Sequence, residues 1–174
     1  MKHLKKIILF SFLIINFSSN VYGTEKIFAI DMDLLLEKSL AGKSITNQLQ
    51  SIQKKNREYF TKEEKILKNK EKEIIDQKNI LSKEELNKKI SALKKEVNEM
   101  NKERNKRRSL FNNTKNKLIQ SFLKQVNPII TDYAKNNNIS MIIDQKNLII
   151  SKNEINITNK ILKQLDEKIK KIKI

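Results

Sequence analysis

The sequence predicts an α+β protein that is mostly α, with a long antiparallel helical hairpin carried on a small β-containing body. Three observations predict it. From Lys43 to Asn127 the chain has neither Gly nor Pro and is crowded with Lys, Glu, Asn, Gln and spaced aliphatics, the pattern of very long helices. Ser82 followed by Glu85 divides that stretch with a capping-box pattern, in which the hydroxyl and the carboxylate satisfy free backbone N–H groups of a new helix. Short β-prone segments lie towards the two ends, at Lys26 to Met32 and Ile139 to Ser151.

The first residues set the compartment. Met1 to Lys6 carries Lys2, Lys5 and Lys6 and no acid, Ile7 to Ile15 is apolar, and Asn16 to Gly23 is polar and small. This is the layout of a cleaved signal peptide over 1–23, with Val21 and Gly23 placing the cut before Thr24. The apolar run is too short for a spanning helix, which needs about 20 apolar residues. With no Cys, neither a lipid anchor nor a disulfide scaffold is available, so an exported soluble protein is expected.

Residues 24–42 are expected to form part of the body. Lys26 to Met32 reads as a strand and Asp33 to Leu40 as a helical turn or two, ending near Ala41-Gly42, where the permissive glycine allows a change of direction. Residues 43–110 are expected to form the hairpin, with its tip near 79–82. The first arm carries Ile45, Leu49, Ile52, Tyr59 and Ile66, then a neighbouring stripe of Phe60, Leu67, Ile74 and Leu81, recurring mostly at sevens. At 1.5 Å per residue it spans roughly 50 Å. The second arm carries Leu86, Ile90, Leu93, Val97 and Met100 at the strict spacing of a coiled-coil seam. Two helices joined by a short polar turn run antiparallel, so Leu67 and Ile74 face these five across the hairpin.

Residues 111–174 are expected to return to the body. Phe111, Leu118, Phe122, Val126, Ile129 and Tyr133 pack against it, and Pro128 kinks or locally opens the helix. Asn136-Asn137-Asn138 suits a helix end. Ile139 to Asp144 and Asn147 to Ser151 flank Gln145-Lys146 and read as a tight β-hairpin. Asn156 or Thr158 then caps a final helix with Ile161, Leu162, Leu165, Ile169 and Ile172 on one face.

Charge and composition narrow the function. The chain carries net charge +17, and losing Lys2, Lys5 and Lys6 leaves 17 − 3 = +14, a field that attracts acidic partners. The only histidine, His3, lies in the removed segment, so the mature chain lacks the commonest general base, a thiol nucleophile and nearly every zinc site. Gly42 is its only glycine, which leaves no phosphate-cradling loop. Asp31, Asp33 and Asp144 could form a carboxylate pair, but each has a duller role at a strand end. No enzyme, cofactor or metal is expected.

KIFAIDMDLLLEKSLAGKS at Lys26 to Ser44, LSKEEL at Leu81 to Leu86, and NPIITDYAKNNNISMIIDQKNLIISKNEINITNKILKQLDE at Asn127 to Glu167 resemble the Skp/OmpH family of periplasmic chaperones. The resemblance covers nearly the whole mature chain, and its terminal segment is the diagnostic part. Asn138 stands where the family often has Gly, and Asn156 where Asp is usual. The resemblance implies a homotrimer whose strands build a central barrel, with Ile27, Ala29, Ile142, Ile143, Leu148 and Ile149 in the trimerisation body. It also implies a periplasmic location and an ATP-independent holdase for unfolded outer-membrane proteins, caged among helical arms.

The densest basic patch is Lys102, Arg104, Lys106, Arg107 and Arg108. It reads either as a solvated helix face paired with Glu99 and Glu103 or as a docking zone for acidic clients, anionic lipid or lipopolysaccharide phosphates. Tyr59, Phe60 and Phe111 read either as core or as client contacts. Two other classes stay open: a structural coiled-coil envelope protein, and a basic nucleic-acid binder. A signal peptide and the lack of a recognition helix or aromatic stacking platform argue against specific nucleic acid.

Overall fold

The computed structural model describes residues 25–173. The expected signal peptide and its cut before Thr24 lie outside them. Strand β1 is Ile27–Ile30, whose apolar and aromatic residues suit a pleated, partly buried surface. Asp31 ends it and caps helix α1, Met32–Lys38, by accepting the Leu34 N–H at 2.8 Å.

The break after α1 falls at Ser39, not at the expected glycine. Ser39 has extended backbone and its hydroxyl accepts the Gly42 N–H, so it closes α1 and caps α2, Leu40–Asp76. Gly42 lies inside α2 and is buried. A Cβ there would stand 1.7 Å from the Leu36 carbonyl oxygen. The glycine therefore allows α1 to press on α2 main chain to main chain, which corrects the expectation that it permits a change of direction.

At 1.5 Å per residue, the 37 residues of α2 span about 55 Å. Helix α3, Lys83–Asn136, has 54 residues and spans about 80 Å on the same rise. Ser82 and Glu85 close the capping box at its start: the Ser82 hydroxyl accepts the Glu85 N–H, and the Glu85 carboxylate accepts the Ser82 N–H. Pro128 stands inside α3, which continues to Asn136 without a break. The ring removes one N–H from the ladder.

Asn138 has φ 51°, the left-handed conformation that favours glycine and that asparagine tolerates. It turns the chain into β2, Met141–Asp144. Here a second expectation fails. Asn147 to Ser151 forms no strand; β2 instead runs parallel to β1, with Ile27 opposite Met141 and Ile30 opposite Asp144. Gln145–Asn147 is a 3₁₀ turn capped by the Asp144 carboxylate, and Asn138 is the only non-glycine residue with positive φ among those described. A two-residue β-hairpin turn needs positive φ, which Gln145 and Lys146 do not adopt.

The closing helix, α4, is Thr158–Lys168. Its N-cap is Ile157, which makes no side-chain cap bond, so neither expected residue holds the cap position: Asn156 precedes it and Thr158 lies inside the helix. The Asn156 side-chain oxygen accepts the Thr158 N–H, while the Thr158 hydroxyl accepts the Asp31 N–H ahead of α1. The core lies where α1, the root of α2, the last third of α3 and α4 meet, around Leu35, Ile45, Leu118, Phe122, Val126, Ile161 and Leu165. After α4 the chain crosses the root of α2: Ile172 is buried, its N–H donates to Ser44 Oγ and its carbonyl accepts from Gln48, each at 2.9 Å.

Candidate functional site

Beyond the body, α2 and α3 touch each other and little else, so the hairpin is held by one narrow row. The half-buried row along α2 is Ile52, Asn56, Tyr59, Glu63, Leu67, Lys70 and Ile74, continued by Gln77 at its C-cap, with Phe60 half-buried beside Tyr59. On α3 the row is Leu86, Ile90, Leu93, Val97, Met100, Glu103, Arg107, Phe111 and Thr114, leading to buried Leu118. Spacings of three and four keep each row on one face of its helix. The structure places Leu67, Ile74, Leu86, Ile90, Leu93, Val97 and Met100 in this row, whereas Ile66 falls outside it and is exposed.

Counting apolar residues alone misses more than a third of the seam. Asn56, Glu63, Lys70, Gln77, Glu103 and Arg107 occupy seam positions and keep the same periodicity, the signal by which they could have been found. Most are answered across the hairpin. Lys70 bridges Glu96 at 2.7 Å, Lys89 donates to Gln77 at 2.6 Å, and Arg107 donates to Asn56 at 3.2 Å. Exposed pairs of this kind contribute roughly 0–1 kcal/mol each. Their larger effect is on register, since a slip of one turn would face like with unlike along the whole seam.

The basic patch does not form one surface. Arg107 lies in the seam, bound to Glu103 at 2.7 Å, with its guanidinium 4.0 Å above the Tyr59 ring. Arg104 bridges Glu64 at 2.7 Å and lies 4.6 Å above the Phe60 ring, which meets Tyr59 edge-on. These two arginines and two aromatic rings clamp the middle of the arm by cation–π contact and charge-assisted hydrogen bonds. Lys102 pairs with Glu99, whose carboxyl is held below its ordinary range first by that hydrogen bond. Lys106 and Arg108 are exposed and join no ion pair among the described residues. Phe111 sits in the seam row.

The body candidates also divide. Ala29 is fully buried within the chain, its carbonyl accepting the Ile157 N–H. Ile142 packs on the core, and Ile143 and Leu148 are half-buried. Ile27 is exposed, as is Ile149 at 100%. Asp31 and Asp144 serve as helix and turn caps, and Asp144 raises the Lys146 ammonium above its ordinary value by hydrogen bond and charge. Among the described residues no cluster of His, Cys, Asp and Glu could hold a metal ion. No helix among them is long and apolar enough to cross a membrane.

Fold and arm define a class: a mostly helical protein that presents a long open hairpin on a small parallel-stranded body, with an extended surface in place of an enclosed site. The chain belongs to the OmpH-like outer membrane protein family, whose model matches residues 26–165. A crystal structure from Caulobacter crescentus CB15, described as an OmpH-like outer membrane chaperone, superposes with a TM-score of 0.80. It is 19% identical and covers 86% of this chain and 89% of its own. At that identity the likeness is one of fold. Among curated proteins none matches by sequence.

Proposed function

We propose that this protein is an ATP-independent holdase chaperone of the periplasm that holds unfolded outer-membrane proteins among its arms before membrane insertion. One observation carries the reading: a hairpin tens of ångströms long has no core beyond its seam and leaves large aliphatics in solvent, Ile75 at 63% and Ile80 at 84% exposure. Such groups on a mature chain of net charge 17 − 3 = +14 offer interchangeable apolar contacts inside a field that gathers acidic polypeptides. Family membership and the fold shared with an OmpH-like chaperone support it.

A cage needs several arms. Among the described residues the sheet has two strands and β2 keeps an unpaired edge, and Ile149 and Ile150 beyond it are 100% and 90% exposed. A homotrimer that pairs these edges and covers these isoleucines resolves both features. Lys106 and Arg108 supply the free charge for transient contact with anionic lipid or lipopolysaccharide.

The deciding assay is light scattering of a urea-denatured outer-membrane barrel diluted into buffer without nucleotide. The protein is expected to keep the barrel soluble at about one trimer per client. Aggregation at the rate seen in buffer alone refutes the holdase, and a monomeric native mass refutes the trimer.

A further inference from the structure

The two sides of the distal arm differ. Ile74 and Leu93 form a wall between two open grooves along the seam. On one side the wall continues with Ile75, Leu86 and Ile90, rimmed by Lys78, Lys94 and Glu71. On the other it meets Lys70, Glu73, Lys89, Ala92 and Glu96, and the Lys70–Glu96 bridge lies there. One groove is apolar with a basic rim, and the other is filled with charge.

Helical spacing extends the difference along the arm. On α3, steps of four and three from Ile90 run through Lys94, Val97, Asn101, Arg104 and Arg108, a flank without an acid. The same steps from Lys88 run through Ala92, Lys95, Glu99, Lys102 and Lys106 on the opposite flank. On α2, the same steps through Ile75 run Glu64, Lys68, Glu71, Ile75 and Lys78 on the apolar side, with Glu64 already bridged to Arg104, whereas Glu73 and Asp76 fall on the other. The basic cluster is thus split, with Arg104 and Arg108 turned towards the apolar side and Lys102 and Lys106 away.

We propose that the groove of Ile75, Leu86 and Ile90 is where each arm docks its client, as an extended polypeptide segment with apolar side chains on one edge and acidic residues beside them. The proposal rests on the holdase reading. Leu86 and Ile90 stand about 6 Å apart along the helix axis at four residues of 1.5 Å. Alternate side chains of an extended strand recur at about 6.7 Å, so consecutive inward side chains meet consecutive turns of the arm. Lys78 and Lys94 join no ion pair among the described residues and stand at the rim to meet carboxylates. On the other side Lys70 and Lys102 are already paired with Glu96 and Glu99 and have less to offer the same segment.

The chain has no cysteine, so single substitutions report one position each. Mature Ile75→Cys and Lys95→Cys proteins, one per flank, are labelled with a thiol-linked benzophenone and irradiated with a urea-denatured β-barrel membrane protein, alongside an aggregation assay of the unmodified protein. Cross-linking at Ile75→Cys is expected to exceed that at Lys95→Cys by about fivefold, the ratio set by a 1 kcal/mol preference. Adding Lys78→Glu and Lys94→Glu lowers the Ile75→Cys yield by about the same factor. Equal or reversed yields, with aggregation still suppressed, overturn the groove and leave the holdase standing. Failure of the unmodified protein to suppress aggregation overturns both. Cross-links between copies of this chain, or to phosphatidylglycerol vesicles in preference to the denatured barrel, also overturn the groove.

Discussion

Gly42→Ala sets two effects of opposite sign against each other. In an exposed helix interior, Ala is better than Gly by about 1 kcal/mol. Here the added Cβ would meet Leu36 of α1 at 1.7 Å from its oxygen, 2.6 Å from its carbonyl carbon and 3.1 Å from its Cα. All three are main-chain atoms, so no rotamer change relieves the clash. Moving the oxygen out to 3.4 Å requires α1 to shift by about 3.4 − 1.7 = 1.7 Å. Helix α1 carries fully buried Leu35 and the Asp31–Thr158 hydrogen bond, both of which the shift would disturb. Overpacking of that kind costs about 3 kcal/mol, the upper part of its usual range. Subtracting about 1 kcal/mol of helix propensity leaves a net loss of about 2 kcal/mol. The measurement is equilibrium urea unfolding at fixed protein concentration, since any self-association adds a concentration-dependent contribution. A midpoint that stays put or rises would show that α1 and α2 do not meet backbone to backbone.

Four further outcomes follow from the same structure. Ser82→Ala removes the hydroxyl cap and costs about 1 kcal/mol of hairpin stability, read as faster amide exchange near Glu85 with the body unchanged; uniform exchange along both arms would contradict this. The Glu85 carboxyl is held below its ordinary value of 4.5, first by the Ser82 side chain and then by its backbone N–H. A depressed carboxyl stabilises above its unfolded pKa and loses that effect as pH falls through the folded one, so the tip should fray on acidification below the ordinary carboxylate range before the body does. Ile172→Ala empties a fully buried site and costs about 2–5 kcal/mol by thermal unfolding, whereas Lys173→Ala should be near neutral. Arg104→Gln with Arg107→Gln should loosen the arm, seen as lost helicity on heating; Lys106→Gln with Arg108→Gln should leave helicity intact and flatten the salt dependence of client capture.

How much was legible depended on how local the cause was. The capping box, the apolar seam from Leu86 to Met100 and the long uninterrupted helices follow from residues three to seven apart, and the structure contains them. The pairing of β1 with β2 does not, because the register of Ile27 on Met141 depends on how α1, α3 and α4 meet in the core. Gln145-Lys146 looked like a turn between strands because Leu148 to Ile150 is β-prone, yet no local feature says which partner a strand will take. Gly42 shows the same limit. Its tolerance for unusual dihedrals is visible in sequence, while the approach of Leu36 that demands it is not. The clamp of Arg104 and Arg107 on Tyr59 and Phe60 was hidden for another reason: those residues were sorted by charge and by hydrophobicity, and the contact joins the two classes.

The parallel pairing of β1 with β2 and the capture of Ile172 by Ser44 also fix an order of events. A chain that emerges amino end first can zip its arm outward from both sides of Ser82 as soon as that turn is free, since those contacts are close in sequence. The body has to wait. Strand β1 keeps an open edge until Met141–Asp144 arrives, and the core lacks Ile157, Ile161, Leu165 and Ile172 until the last residues appear. A truncated product would therefore carry a formed arm on an unclosed base, and only a chain made to its end completes the body on which other copies could assemble.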